Sequence, residues 1–353
     1  MDLSDIRNEL KRRAEAMPIA EPPRKSRWRW VAWSLVALLA LAVLIPVGFR
    51  VAAHSREVHT ADDLAPSQGQ FVATRSGRIF LQQAGPLDGP PVVLIHGTAA
   101  WSGLWRDTME RLAQRNLRVI AIDVPPFGFS DRPEAPDYSR TAQADRIADV
   151  LDALKIDRAT LVGHSFGAGP TVETVLRHPQ KVRGLVLVAG ALGISSGPAS
   201  DQTGAVAWVL DQPWLRDTLV AATVTNPLLT RTLLATMLHR KERATAEIAA
   251  ILQVPMTLKN STHDLGGWLK SFLAADRTAL SADRGRYGEL KVPTVLLWGD
   301  HDTLKPLAQG RDIQGLIAGS RIVVMPGIGH LPQVEDPEGF AKILGDTLTG
   351  MLR

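Results

Sequence analysis

The feature that most constrains this chain is a sharp turn between a strand and a helix. Ala159 to Val162 is an apolar run, Gly163-His164-Ser165-Phe166-Gly167 follows, and a helical pattern continues from about Ala168 to Arg177. Strand, turn and helix in that order leave a serine at the apex. Glycines flank it because a Cβ at either position would clash in so tight a bend. The hydroxyl is lifted clear of the sheet, and the Phe166 amide falls at a helix N-terminus, where it can receive an oxyanion. Gly-x-Ser-x-Gly alone occurs by chance in many chains. It gains meaning only if a second oxyanion donor lies upstream and an acid and a histidine lie downstream.

The surrounding pattern supplies a sheet to carry the turn. Phe71–Thr74 and Arg78–Gln82 read as a hairpin turning at Ser76-Gly77. Val92–Ile95, Val119–Ile122, Thr160–Gly163, Leu185–Ala189, Thr294–Trp298 and Arg321–Met325 are short apolar runs of the kind expected of strands buried on both faces. Helical stretches separate them at Leu104–Gln114, Thr141–Leu154, Leu307–Ile317 and Phe340–Leu352. The expected fold class is therefore α/β, a mostly parallel sheet with helices on both faces. One segment breaks the alternation. From about 192 to 286 there are helices (Val206–Leu210, Trp214–Leu219, Pro227–Leu238, Glu242–Val254, Leu265–Ala275) and no strand. Such an insertion is a cap, and its Trp208, Trp214, Trp268, Met237, Met256 and Phe272 form either its own core or the roof of a pocket.

Both partners of the serine are present. Upstream, Val92–Ile95 ends in His96-Gly97-Thr98-Ala99, where the glycine lets the backbone turn and aim the Thr98 amide at Ser165. Thr98 and Phe166 would form the oxyanion hole, and losing one such donor typically costs about 100- to 1,000-fold in rate. His96 reads as structural. Downstream, Thr294–Trp298 ends in Gly299-Asp300-His301-Asp302, which offers two carboxylates. The strand Arg321–Met325 leads through Pro326-Gly327-Ile328-Gly329 to His330, which is free to reach the serine as general base. The other histidines fit less well; His164, next to Ser165, is expected to turn away from it. No pair has metal-ligand spacing with an acid, so no metal is expected, and no cofactor motif is present. The chain has no cysteine, which excludes a thiolate site and a disulfide framework.

These motifs together resemble the α/β-hydrolase superfamily from about Phe71 to the C-terminus. The carrying residues are His96-Gly97, Asp123-Val124-Pro125-Pro126-Phe127-Gly128-Phe129-Ser130-Asp131, the serine turn, Trp298-Gly299-Asp300-His301-Asp302, and Gly329-His330-Leu331-Pro332-Gln333-Val334-Glu335-Asp336-Pro337. The resemblance implies a catalytic Ser165–Asp302–His330 triad, since the family's acid ends a W-G-x-x-D pattern. It implies structural roles for Asp123 and Asp131. Pro126 stands where the family usually has glycine. A serine at the turn disfavours epoxide and halide chemistry, whose family members use aspartate there. Hydrolysis of an ester, thioester or amide, or of a carbon–carbon bond next to a ketone, remains. The family's carbon–carbon hydrolases tend to carry asparagine where His164 stands, so the expectation is an esterase-like or lipase-like serine hydrolase acting on a small ester. Carbon–carbon, thioester or amide cleavage is the alternative, and a non-catalytic membrane-bound binding module is the competing class.

The N-terminus reads differently. Val31 to Phe49 carries no charge and would span roughly 29 Å as a helix, close to the hydrocarbon core of a bilayer at about 30 Å. Trp28, Trp30 and Trp33 cluster at its start, as interfacial aromatics do. Arg24, Lys25, Arg27 and Arg29 precede it, while Arg50 and Arg56 follow, which places the N-terminus in the cytoplasm and the rest outside. An uncleaved anchor is expected, with a cleaved signal peptide as the alternative. The expected organisation is a cytoplasmic tail (1–27), a transmembrane helix (28–50), a polar tether (51–69) and a hydrolase domain (70–353). The tail takes most of the net charge of +4: residues 1–30 hold eight Lys/Arg and five Asp/Glu. No basic surface is left on the main body for nucleic acid. The expected partners are a small ester-type molecule and the bilayer, and no feature of the sequence sets an oligomeric state.

Overall fold

Eight strands form one sheet in the order β1-β2-β4-β3-β5-β6-β7-β8 in a computed structural model that describes residues 2–18, 27–133, 137–194, 204–273 and 278–352. In chain order the elements are α1 (Leu3–Ala16), α2 (Arg27–Arg56), α3 (Ala61–Leu64), β1 (Gly69–Thr74), β2 (Gly77–Ala84), β3 (Pro91–Ile95), α4 (Arg106–Ala113) and β4 (Arg118–Ile122). Then come α5 (Arg140–Ala153), β5 (Ala159–His164), α6 (Ala168–Arg177) and β6 (Val182–Val188). The cap helices are α7 (Ala205–Asp211), α8 (Pro213–Ala222), α9 (Pro227–Met237), α10 (Ala246–Gln253) and α11 (Ser261–Leu273). The chain ends with β7 (Thr294–Gly299), α12 (Leu307–Leu316), β8 (Arg321–Met325), α13 (Pro332–Glu335) and α14 (Pro337–Met351). β1 and β2 are antiparallel to their neighbours; the other pairings are parallel.

The period-two alternation of strand side chains divides the core in two. Val92, Leu94, Val119 and Val162 pack with Trp105, Met109 and Leu112 of the α4 side and Phe340, Leu344 and Leu348 of α14. Val93, Ile95, Ile120 and Leu161 pack on the opposite face with Ile147, Val150 and Leu151 of α5 and Val172 and Val175 of α6. A fully buried aliphatic side chain contributes about 1.5–3 kcal/mol, so both faces of the central strands hold the sheet. That rigid base fixes the strand ends from which the site is built.

The chain divides into two units, Met1–Val47 and Gly48–Arg353. The first holds α1, which buries none of its residues, and most of α2. The stretch Trp30–Arg56 of α2 contains an 18-residue window with a mean hydropathy of 2.4, and by length and composition it can cross a membrane. Arg24 and Lys25 lie outside the described residues.

Residues 51–69 are more ordered than a polar tether. The helix runs on to Arg56, Ala53 is buried, and Arg50 pairs with Asp217 of α8 at 3.2 Å. Arg56 donates to the Thr225 carbonyl, and Glu57 accepts from the backbone amide and the hydroxyl of Thr262. The polar side chains that suggested a loose linker are the ones that fasten this segment to the cap.

Candidate active site

Ser165 follows β5 in a backbone conformation with φ of +50°, which non-glycine residues rarely adopt. The strain, of order 1–3 kcal/mol, is held by packing around the bend. A Cβ on Gly163 would lie 2.5 Å from the Thr171 hydroxyl, and one on Gly167 would lie 2.4 Å from the His96 carbonyl. Both glycines are therefore required by close approach.

The three residues expected from the sequence meet in one line. His330 Nε2 lies 2.9 Å from Ser165 Oγ, and His330 Nδ1 lies 2.8 Å from Asp302 Oδ2. All three are buried. The other oxygen of Asp302 accepts from the amides of Leu304 (2.9 Å) and Lys305 (2.8 Å), which fixes the carboxylate. With the acid on Nδ1, the proton there is held and Nε2 is left to accept the serine proton. Asp300 is placed elsewhere: it accepts from the Gly327 amide at 2.7 Å and braces the loop before His330.

The loop after β3 presses on this turn. A Cβ on Gly97 would lie 3.0 Å from Ser165 Cβ, so the backbone on either side of Gly97 runs against the serine. Thr98 follows it, and Phe166 is the middle residue of the short helical turn Ser165–Gly167 leading into α6. His96 is structural: its Nδ1 donates to the Gly97 carbonyl and its Nε2 accepts from the Val124 amide, each at 2.9 Å. Burial pushes it down to about 4, so the ring stays neutral. In the turn after β4, Asp123 accepts from the amides of Ser102 (2.6 Å) and Phe129 (2.8 Å), and Asp131 accepts from Arg78. The Pro125–Pro126 peptide is cis.

Two residues that hold the site were not singled out from the sequence for that purpose. His164 does turn away from the serine, but its Nε2 donates to the His330 carbonyl at 2.9 Å. Burial pushes this ring down to about 3, with the neighbouring His330 adding to the shift. Glu335, fully buried, accepts from the amides of Gly329, His239 and Arg240, each at 2.9 Å. The His330 amide in turn donates to the Met237 carbonyl at 3.0 Å. The end of α9 and the histidine loop are thus one hydrogen-bonded unit. Glu335 belongs to the motif at residues 329–337 that carries the family resemblance, but the sequence assigned it no role.

Above the line lies a chamber of about 340 Å³ under the cap. Thr98, Leu331 and Phe127 belong to its sheet side; Val220, Leu234, Met237, Met256, Leu265 and Trp268 are among the cap residues that close it. Among the described residues no charged side chain lines it. Trp268 packs edge-on against Phe166 (5.2 Å) and stacks with Phe272 (4.9 Å). Of the cap residues noted from the sequence, Trp268, Met237 and Met256 line the chamber, whereas Trp208 and Trp214 are 58% and 62% exposed and do neither of the two things expected of them. Among the described residues no cluster of His, Asp and Glu could hold a metal ion.

This chain belongs to the α/β-hydrolase fold family, whose model matches residues 90–337. Among curated proteins it is similar to 2-hydroxymuconate semialdehyde hydrolase of Pseudomonas sp. strain CF600, 30% identical over 291 residues, which are 80% of this chain and 95% of that protein. Among solved structures it is similar to the meta-cleavage product hydrolase of Pseudomonas fluorescens IP01, with a TM-score of 0.65, 24% identity and coverage of 80% of this chain and 98% of the other. It is also similar to a bacterial membrane phospholipase A, with a TM-score of 0.63, 23% identity and coverage of 93% and 99%. The 2-hydroxymuconate semialdehyde hydrolase relative weighs toward the carbon–carbon alternative rather than the ester cleavage expected first.

Proposed function

We propose that the chain is a serine hydrolase that attacks a carbonyl in an apolar small molecule. The observation that carries this reading is the unbroken Ser165–His330–Asp302 line beneath a chamber lined, among the described residues, by uncharged side chains. In this reading His330 Nε2 takes the Ser165 proton as Oγ attacks the carbonyl carbon. The oxyanion rests on the Thr98 and Phe166 amides. Collapse breaks the bond to the leaving group, which takes the proton from His330. Water, deprotonated by His330, then releases the acid and restores the serine.

The bond broken has a first and a second reading. The first is the carbon–carbon bond next to a ketone, supported by the 2-hydroxymuconate semialdehyde hydrolase relative, which spans nearly its whole length here. The second is an ester of a hydrophobic acid, and a specific observation favours it. The relative's substrate name describes a carboxylate, and a buried carboxylate needs a cation or several donors. Among the described residues the chamber lining carries no charge. Turnover of a 6-oxo-dienoate and of p-nitrophenyl esters from two to twelve carbons, each with native chain and Ser165→Ala, separates them. The first reading expects kcat/KM for the dienoate at least about 10-fold above the best ester, the discrimination that 1.4 kcal/mol supplies. Ester turnover without dienoate turnover would reverse the order.

We further infer that α2 anchors the enzyme in a membrane, with the N-terminus cytoplasmic. Its length, hydropathy and flanking arginines support this. So does the fold likeness to the membrane phospholipase A: 93% of 353 residues is more than Gly48–Arg353 can supply, so that likeness includes part of the N-terminal unit. Protease added outside intact spheroplasts should degrade the hydrolase domain; a protected domain would refute this orientation.

A further inference from the structure

The cap exposes two tryptophans, Trp208 on α7 and Trp214 on α8, and the contacts of the segment after Gly48 say which way they face. Arg50 reaches Asp217, and Arg56, six residues later, reaches Thr225, eight residues further along the cap. The last turns of α2 and α8 therefore run in the same direction. α11 runs back the other way. Its Thr262 meets Glu57 and Thr225, His263 meets Asp217, and Lys270 pairs with Asp211 at the end of α7. At about 1.5 Å per residue, Trp214 stands roughly 4.5 Å before Asp217 along α8, toward the end of the cap at which the segment after Gly48 enters. α7, which holds Trp208, and the last turn of α11, with Phe272, lie at that same end.

We propose that this end of the cap, presenting Trp208, Trp214 and Phe272, rests in the surface of the bilayer that the chain's own apolar helix enters. The inference rests on the membrane-anchored reading above. Three observations support the bilayer as the occupant. Exposed tryptophan is the side chain suited to a membrane–water interface. The patch lies at the end of the cap where the segment that follows the apolar helix, from Gly48 on, enters it. Lys270 and Arg50, about half exposed, sit beside it, where they can meet lipid phosphates. Leu228 is more exposed than either tryptophan, at 85%, but opens α9 beyond Thr225, at the opposite end, and the proposal leaves it in water. Phe272 stacks on Trp268 of the chamber wall and meets Phe166 edge-on at 5.7 Å, so an aromatic path joins the docked end to Ser165. An apolar substrate dissolved in the bilayer would enter along it.

The chain has no cysteine, so single cysteines label cleanly. Full-length Trp208→Cys, Trp214→Cys, Leu228→Cys and Leu44→Cys variants carry a nitroxide and are reconstituted in vesicles of phosphatidylethanolamine and phosphatidylglycerol. Collision of the label with oxygen and with a water-soluble nickel chelate reports depth. The proposal predicts that reconstitution raises the oxygen-to-nickel ratio severalfold at 208 and 214, to a depth about 5–10 Å into the interface, and leaves 228 unchanged. Label 44 in lipid with 208 and 214 in water would overturn the docking and spare the anchor; label 44 in water would overturn the anchored reading itself. Labels at 208 and 214 shielded from both quenchers and broadened by spin–spin coupling would mark a contact between two copies instead, which also overturns it.

Discussion

Asp300 and Asp302 leave the same strand end two residues apart, yet they do different work. Asp302 holds His330 Nδ1, and Asp300 holds the Gly327 amide. Asp302→Asn keeps the shape but reverses the hydrogen bond to the ring, and the expected loss in kcat is about 10⁴-fold, as for other triads of this geometry. Asp300→Asn still accepts from Gly327 through its amide oxygen, so its kcat should stay within about 10-fold. Steady-state kinetics on whichever substrate is turned over checks both, and equal losses would contradict the assignment. Ser165 and His330 were legible in the sequence because each follows a strand within a short, glycine-marked turn; Asp302 was distinguished from Asp300 only by the resemblance to the family's W-G-x-x-D pattern. His164 was legible only in part. Its direction follows from the geometry of the turn, but its bond to the His330 carbonyl joins positions 166 residues apart, and no local pattern encodes that.

At the scale of elements, the strands were readable from the apolar runs, and the cap from the helices without strands; the order of strands in the sheet was not read. What was not readable is how the cap grips the site. The grip depends on α9 ending where its Met237–Arg240 backbone meets Glu335, so it is set by tertiary placement of two segments far apart in the chain. Glu335→Ala would leave three amides unpaired, at about 1–3 kcal/mol each if they stay buried. It would also free the loop that aims His330, and a misplacement of about 1 Å can cost 10²-fold in rate. The expected outcome is a lowered Tm with kcat reduced roughly 10- to 100-fold and KM little changed. Glu335→Gln should fall between, since the amide oxygen can still serve one side of the contact. A Glu335→Ala enzyme with native kcat would contradict the link. Trp208 and Trp214 show the same limit: apolar residues in helical segments read as core or pocket, and only the packed cap reveals that they are neither.

For the whole molecule, the buried histidines make stability depend on pH in a defined direction. His164, held neutral down to about 3, titrates near its ordinary 6.5 once unfolded. Between those values the unfolded chain binds the extra proton, so this contribution is complete above about 6.5 and is lost as pH falls toward 3. Asp123, pushed by burial up to about 7, acts in the opposite sense: its contribution is present at low pH and lost as pH rises from about 3.8 to 7. Replacing His164 by Asn should therefore flatten the rise of stability with pH between 4 and 6 by about 1.4 kcal/mol per pH unit; denaturant melts at several pH values would show it, and an unchanged slope would contradict a neutral buried ring. The central claim, that Ser165 is a nucleophile activated by His330 and Asp302, is tested most directly by reaction with a fluorophosphonate probe followed by peptide mass spectrometry. The account predicts one adduct, on the peptide containing Ser165, absent in Ser165→Ala and greatly slowed in Asp302→Asn. A folded native chain that resists the probe, or that carries the adduct on another serine, would contradict it.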